Sequence, residues 1–257
     1  MGKHTGEVAA HFARRAAGYA QHDNWVNDAE ALAPIISALQ QKPDGTALEI
    51  GAGTGAVARA RRPYPANGGR LIGVDVTHSM LLQHARHAPA VVGDAHCLPF
   101  ARGCADIIIC RQSVHYFDLP DMVFAEVKRV LASDGRLLIA QIVPFEDPQD
   151  EQWWKRAVTL RQPLRRHRWT AAELSESLRG VGFTIESTQE LRRRTSLKGW
   201  LERYALDPAN RQELLDHFRS TPSPVRRLRE FAGTGDAVEY SLRWVFITSV
   251  PEKPAGD

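Results

Sequence analysis

Three glycines at alternate positions in Leu48-Glu49-Ile50-Gly51-Ala52-Gly53-Thr54-Gly55 are the densest chemical signal in the chain. With no side chains at 51, 53 and 55, the backbone can approach a ligand closely. A helix starting just beyond would aim its first N–H groups at that ligand. A turn that only reverses the chain usually needs one such glycine, or two. Two chemistries fit the loop. Gly51-x-Gly53-x-x-Ala56 meets the pattern that cradles a dinucleotide pyrophosphate, and Asp75, about 20 residues on, stands where an acid grips ribose hydroxyls. Glu49, on the strand just before the first glycine, argues otherwise: a carboxylate there repels a pyrophosphate and suits a cation. A nicotinamide dinucleotide carries the pyrophosphate, whereas S-adenosylmethionine carries a sulfonium and an ammonium. The charge favours the sulfonium compound.

The elements that must hold this loop follow from hydrophobic periodicity. Val8, Phe12, Ala16 and Tyr19 fall at helical spacing, and Ala29–Leu39 forms a second apolar-faced helix before the turn Pro43-Asp44-Gly45. Short apolar runs then read as strands: Ala47–Ile50, Arg70–Val74, Ala90–Val92, Asp106–Cys110 and Arg136–Val143. Helical segments near Val57–Ala60, Met80–Ala88 and Met122–Leu131 lie between them. This alternation predicts a parallel sheet covered on both faces, with right-handed crossovers. Later come a helix (Ala171–Arg179), a strand (Phe183–Leu191), a mostly helical stretch and a last strand (Tyr240–Val250).

On these residues the chain resembles a known family. Glu49-Ile50-Gly51-Ala52-Gly53-Thr54-Gly55 is similar to motif I (E/D-x-G-x-G-x-G) of class I S-adenosylmethionine-dependent methyltransferases. Gly73-Val74-Asp75-Val76-Thr77-His78-Ser79-Met80 resembles their second motif, and Gly93-Asp94-Ala95-His96-Cys97-Leu98-Pro99-Phe100 the D-A-x-x-L-P-F segment of the small-molecule, UbiE-like branch (methyltransferase type 11). Asp106–Cys110 matches the fourth strand, and Glu126–Ile139 the helix, turn and strand after it, so the resemblance runs from about residue 45 to 145. It is specific because four motifs stand in order at the right spacings. Val76 and Thr77 depart mildly from the pattern. The fourth strand ends Cys110-Arg111-Gln112-Ser113, without the D/N-P-P-Y/F of enzymes that methylate nucleobase amino groups, and no Pro-Cys supplies a C5-directed nucleophile.

The resemblance implies an α/β, Rossmann-like, doubly wound seven-stranded sheet, its last strand antiparallel, with N-terminal and late helical additions. One methyltransferase domain is expected over 1–257: a helical lid (1–42), a cofactor-binding core (43–145), and a helix and strand completing the sheet (146–195). A helical substrate-cover insertion (196–237), the last strand (238–250) and a loose tail (251–257) complete it. The S-adenosylmethionine cradle would comprise Glu49, Gly51, Ala52, Gly53, Gly55, Asp75, Val76, Met80, Asp94, Ala95 and Arg111, with Tyr19 of the lid helix closing over it. In an open parallel sheet the ligand lies beyond the strand carboxyl ends, so Arg111, Gln112, Ser113, His115 and Tyr116, after the fourth strand, are expected to face the methyl group. Among them His115, whose reference pKa is about 6.5, is the candidate general base. Ser113, Tyr116, Trp200 and Tyr204 would contact an apolar or aromatic acceptor; Phe12 and Trp25 (lid) and His217, Phe218 and Phe231 (insertion) are further aromatic candidates, the lid pair readable as core too and aromatics at the insertion's helical spacing more often core than pocket.

Composition sets the outer limits. The chain has 257 residues, 43% hydrophobic and 25% charged, with a net charge of +3, ordinary for a globular domain. No run approaches the ~18–20 apolar residues of a membrane span. Three cysteines without a C-x-x-C suggest neither a disulfide framework nor a cysteine zinc site, and a cytoplasmic setting is expected. No metal is expected at His78, His84 and His87, which lack a carboxylate at ligand spacing. The expected partner is a small-molecule methyl acceptor rather than nucleic acid, with oligomeric state open. Three alternatives stand. The basic clusters Arg161/Arg165/Arg166/His167/Arg168, Arg192–Arg194 and Arg226/Arg227/Arg229 would serve an RNA methyltransferase. The glycine loop would serve an NAD-dependent dehydrogenase, or a binding module without turnover.

Overall fold

The computed structural model describes residues 2–19, 26–62, 68–202 and 206–253. Seven strands form its single sheet: β1 (Thr46–Ile50), β2 (Arg70–Asp75), β3 (Ala90–Val92), β4 (Ala105–Arg111), β5 (Leu131–Val143), β6 (Phe183–Ser196) and β7 (Glu239–Pro251). Their order is β3-β2-β1-β4-β5-β7-β6. Only β7 is reversed, running antiparallel to both β5 and β6, as the sequence led us to expect of the last strand. β1 sits between β2 and β4, so the chain leaves it first toward one edge and then toward the other. The crevice between these diverging crossovers is where open α/β sheets take their ligands.

The strands form because they are buried on both faces. In β4, Ile108 and Cys110 face one apolar layer while Ile107 and Ile109 face the other, the period of two that a strand imposes. The first layer holds α5 (Pro120–Val130) and α7 (Ala171–Gly180) through Val123, Phe124, Val127, Leu174 and Leu178. The second holds α2 (Ala29–Gln40) and α3 (Ala56–Arg61) through Ile35, Ile36 and Val57. Burying each of these side chains contributes about 1.5–3 kcal/mol.

A third cluster covers the carboxyl side of the sheet. It is built by α6 (Pro148–Arg161), α8 (Leu197–Glu202), α9 (Pro208–Arg219) and the start of β7, and centres on Trp153, Trp154, Trp200, Phe218 and Tyr240. The periodicity reading assigned no bounds to α6, although its start is written locally. Asp147 accepts hydrogen bonds from the N–H groups of Gln149 and Asp150, and Pro148 occupies the first turn. The cover is pinned by a fully buried ion pair between Asp150 of α6 and Arg229, just after α10 (Ser223–Leu228). Asp150 Oδ2 also accepts from the N–H of Phe145 at 2.7 Å, and the guanidinium lies 4.6 Å from the Trp154 ring centroid. β6 continues past Leu191 to Ser196 because it pairs with β7 along its whole length.

At the other end of the chain, α1 (Lys3–Arg15) closes over the sheet's carboxyl edge. His4 is buried and within 3.1 Å, through Nε2, of the Tyr116 carbonyl. α4 (His78–His84), which follows β2, carries Gln83, whose amide donates to the Ala16 carbonyl. No helix among the described residues is long and apolar enough to cross a membrane.

Candidate active site

The glycine loop joins β1 to α3. Gly51 (φ +73), Gly53 (φ +53) and Gly55 (φ +81) are all left-handed, a conformation other residues adopt at a cost. Each has its own steric reason as well. A Cβ on Gly51 would come within 2.4 Å of Ser113 Cβ, and one on Gly55 within 2.9 Å of His84 Cδ2. A Cβ on Gly53 would meet nothing within 4 Å: it would project into the crevice itself. Gly55 does not line the crevice; it lets α3 pack against His84, while Gly51, Ala52 and Gly53 form the wall.

The strand ends supply carboxylates. Asp75, closing β2, accepts from Gly53 N–H at 2.9 Å and Thr77 N–H at 2.8 Å, so it clamps the loop while facing the crevice. Burial raises its pKa, and those backbone donors pull it back. Glu49 of β1 is 3% exposed, and its Oε2 has no protein partner. Desolvation pushes its carboxyl up to about 8, with Arg111 opposing and Asp75 adding to the shift. Arg111, ending β4, is itself buried, its guanidinium 5.5 Å from the Trp244 ring centroid. Burial brings its pKa down to about 10, against the stabilising charge of Glu49. After β3, Asp94 Oδ1 accepts from His96 N–H at 3.1 Å and from its Nδ1 at 2.6 Å. The Leu119 N–H donates to His96 Nε2 at 3.2 Å, which leaves the ring proton on Nδ1.

These groups line one crevice of roughly 970 Å³, the open solvent at its mouth included. Tyr19, Val76, Met80, Ala95, Ser113 and Tyr116 line it too. Ser113 stands on this side rather than deeper in, its Oγ donating to the Ile50 carbonyl at 3.0 Å.

A second chamber of roughly 580 Å³ lies beyond, and Phe12, Tyr19, Gln112 and Tyr116 border both. His115 and Trp200 line this chamber. The Gln141 amide donates through Nε2 to Ile142 O at 3.1 Å, which turns its Oε1 toward His115 Nδ1, 3.2 Å away. Nδ1 is therefore the protonated nitrogen, and Nε2, buried without a protein partner, carries the lone pair. Burial first, then the charge of Arg165, lowers the His115 pKa well below its usual value, with Gln141 opposing.

One of these residues escaped the sequence reading: Gln141, a lone polar residue in the apolar run of β5. Gln112, expected after the fourth strand, borders both cavities. Gln112 holds φ +54 without being glycine, its N–H donates to Ala140 O at 2.9 Å, and its buried Nε2 has no partner. Of the insertion's aromatics, Trp200 lines the chamber, while Phe218 packs in the third core cluster with Phe231 against it. His217 stacks on Trp153 at 5.2 Å. Tyr204 and Trp25 lie outside the described residues. The arginine clusters are dispersed: Arg166 pairs with Asp118, Arg192 with Glu230, Arg193 with Asp28 and Glu30, and Arg194 with Glu239.

Comparison with known proteins agrees with this architecture. Residues 48–139 match a family model described as a methyltransferase domain. Over 207 residues (77% of this chain and 81% of the other) the chain is 26% identical to the uncharacterized methyltransferase YcgJ of Bacillus subtilis. The YcgJ crystal structure superposes with a TM-score of 0.78 at 22% identity, covering 88% of this chain and 99% of that one. A malonyl-[acyl-carrier protein] O-methyltransferase of Herminiimonas arsenicoxydans is 31% identical over 139 residues, 53% of this chain and 51% of its own length. The ubiquinone/menaquinone biosynthesis C-methyltransferase UbiE of Paraburkholderia phytofirmans is 28% identical over 120 residues, 44% of this chain and 49% of its own. The chain thus spans about half the length of these last two. Sheet order, glycine loop and matched domain define the class, a Rossmann-like methyltransferase fold. Within it, residues 48–139 of this protein form a methyltransferase domain, and the chain is similar to proteins named as methyltransferases, YcgJ and UbiE among them.

Proposed function

We propose that the enzyme binds S-adenosylmethionine in the crevice at the ends of β1, β2 and β3 and methylates a small, apolar or aromatic metabolite in the adjoining chamber. The observation that carries this reading is the shared border of the two cavities at Phe12, Tyr19, Gln112 and Tyr116. The residues present fit the donor. Glu49 offers a buried, unpartnered carboxylate oxygen to a cation, and Gly53 leaves open the space a side chain would fill. A dinucleotide pyrophosphate would push that carboxyl's pKa up further and gain no charge partner from it, whereas a cation draws it to the carboxylate form.

When bound, S-adenosylmethionine supplies a methyl group already activated on a sulfonium. The chain's tasks are then alignment, exclusion of water and proton handling. Asp75 and Asp94 hold the adenosyl end, with Ala95, Val76 and Met80 along it. α1, with Tyr19 and Phe12, covers the site from water. His115 Nε2 takes the proton of a hydroxyl, amine or activated carbon in the chamber, and Gln141 keeps the opposite nitrogen protonated. Tyr116 and Trp200 shape the acceptor's surroundings. We take the whole chain as one methyltransferase unit with a helical cover, working in the cytoplasm with its three free thiols. The ion pairs that occupy Arg166 and Arg192–Arg194 support a small acceptor over RNA.

Titration calorimetry with S-adenosylmethionine and S-adenosylhomocysteine tests the reading. Asp75→Ala, and Asp75→Asn with its milder effect on the loop, should each lose at least about tenfold in affinity, or roughly 1.4 kcal/mol. Unchanged affinity in both variants, with circular dichroism showing an intact fold, would count heavily against it.

A further inference from the structure

Two side chains of the chamber wall each keep a buried polar atom without a protein partner, and the two atoms are of opposite kinds. Gln112 Nε2 is an amide donor, and His115 Nε2, opposite a protonated Nδ1, is a lone pair. Leaving such groups unpaired away from water is costly, and buried polar atoms are ordinarily satisfied. A donor and an acceptor left over on one wall call for a guest that supplies both. The same strand holds the two residues in fixed relation. Gln112 N–H donates to Ala140 O at 2.9 Å, and His115 Nδ1 lies 3.2 Å from Oε1 of Gln141, the next residue of β5. The chain leaves β4 through Gln112 at φ +54, and Val114–Tyr116 then make one 3-10 turn. A left-handed glutamine is strained where glycine is not, so the strain at this position retains an amide. No Asp or Glu stands among the described residues lining the chamber, which leaves His115 as its base.

We propose that the atom methylated is a hydroxyl oxygen and that Gln112 selects it, donating through Nε2 to that oxygen while His115 Nε2 takes its proton. The inference rests on the chamber being the acceptor site and names the nucleophile it takes. A hydroxyl oxygen carries one hydrogen and two lone pairs. The hydrogen goes to His115, one pair accepts from Gln112, and the second pair is left for the methyl group. A neutral amine has a single pair, so the bond from Gln112 would occupy the pair that must attack. A carbon nucleophile offers Gln112 no pair at all. In the transfer, the second oxygen pair forms the O–CH3 bond as the methyl–sulfonium bond breaks, its electrons left on sulfur. The O–H proton passes to His115 Nε2, and the imidazolium yields it to water once the ether has left. The proton moves as the new bond forms, because burial and the charge of Arg165 hold down the basicity of His115 beforehand.

The test uses the full-length enzyme saturated with S-adenosylhomocysteine and ligand-observed saturation-transfer NMR. The probes are phenol, aniline and toluene, alike in shape and different only in the OH, NH2 or CH3 group. Phenol should bind about tenfold tighter than aniline. Gln112→Met keeps the side chain's length and removes the donor, so the ratio of phenol to toluene affinity should fall about tenfold or more. His115→Phe should lower the same ratio through the other bond. A ratio taken within one protein cancels any change in chamber shape. Where S-adenosylmethionine replaces the product and phenol turns over, anisole should form. Aniline binding as tightly as phenol, a phenol-to-toluene ratio unmoved by Gln112→Met, no phenol binding at millimolar concentration, or cresol as the product would each overturn the inference while leaving the methyltransferase reading intact. Absence of S-adenosylhomocysteine binding by the wild-type enzyme would overturn that reading itself.

Discussion

Glu49 makes ligand binding a proton-release event. With its carboxyl held at about 8 in the empty protein, about nine-tenths of the molecules carry that proton at pH 7. A cation entering the crevice stabilises the carboxylate and brings its pKa back toward the ordinary range near 4.5. Binding at pH 7 should then release close to one proton, about 0.9 per site, and affinity should rise by up to about tenfold from pH 6 to pH 7. The window stays below pH 7, where the ligand's α-amino group is still protonated. Calorimetry with S-adenosylhomocysteine in phosphate and in Tris separates the released proton from the intrinsic heat. Glu49→Gln, which mimics the protonated side chain, should release none and bind independently of pH over the same range.

The linkage has a second consequence, in stability. The folded carboxyl binds its proton more tightly than the unfolded one, so Glu49 lowers stability as pH rises from about 4.5 to about 8. Glu49→Gln should therefore gain on the wild type across that interval. Proton release near zero in the wild type, with affinity flat from pH 6 to pH 7, would refute the argument that burial beside Arg111 and Asp75 keeps Glu49 neutral.

Other perturbations read other parts of the structure. Gly73→Ala would place a Cβ 2.4 Å from buried His84 Nε2; about 1–3 kcal/mol should be lost in urea unfolding, partly recovered by adding His84→Ala. Asp150→Ala strands the buried Arg229 and should cost about 3–5 kcal/mol by the same assay, with the cover helices loosening first in hydrogen exchange. Gln141→Leu removes the acceptor for His115 Nδ1–H: nitrogen NMR should show a mixture of tautomers in place of the single Nδ1–H form, and turnover should fall by about a hundredfold or more. A variant that keeps the single tautomer would show that Gln141 does not set it.

Much of the crevice was legible in the sequence because its parts are contiguous. The β1 glycine loop, Asp75 at the end of β2 and Asp94 after β3 are each fixed by a few neighbouring residues and by the strand before them. The chamber was less legible because its walls meet only in three dimensions. Arg161 and Arg165 read as part of an exposed basic run; what buries them is the packing of α6 under the insertion, which no local pattern states. Phe218 sits on a helix, whose periodicity does not distinguish a face turned to the core from one turned to a cavity, and Phe231 follows the next helix, where no periodicity applies. Gln141 was visible as a polar break in β5, but its meaning depends on His115, brought to it across the sheet. The start of α6 was readable from Asp147-Pro148 and the acids after it.

The most direct test of the whole account is a crystal grown with S-adenosylhomocysteine. The account predicts density for the adenosyl group in the β1–β4 crevice, its ribose against Asp75, its amino-acid end near Glu49 and its thioether facing the chamber that holds His115. Density for the ligand elsewhere, or a diphosphate seated against the glycine loop, would contradict it.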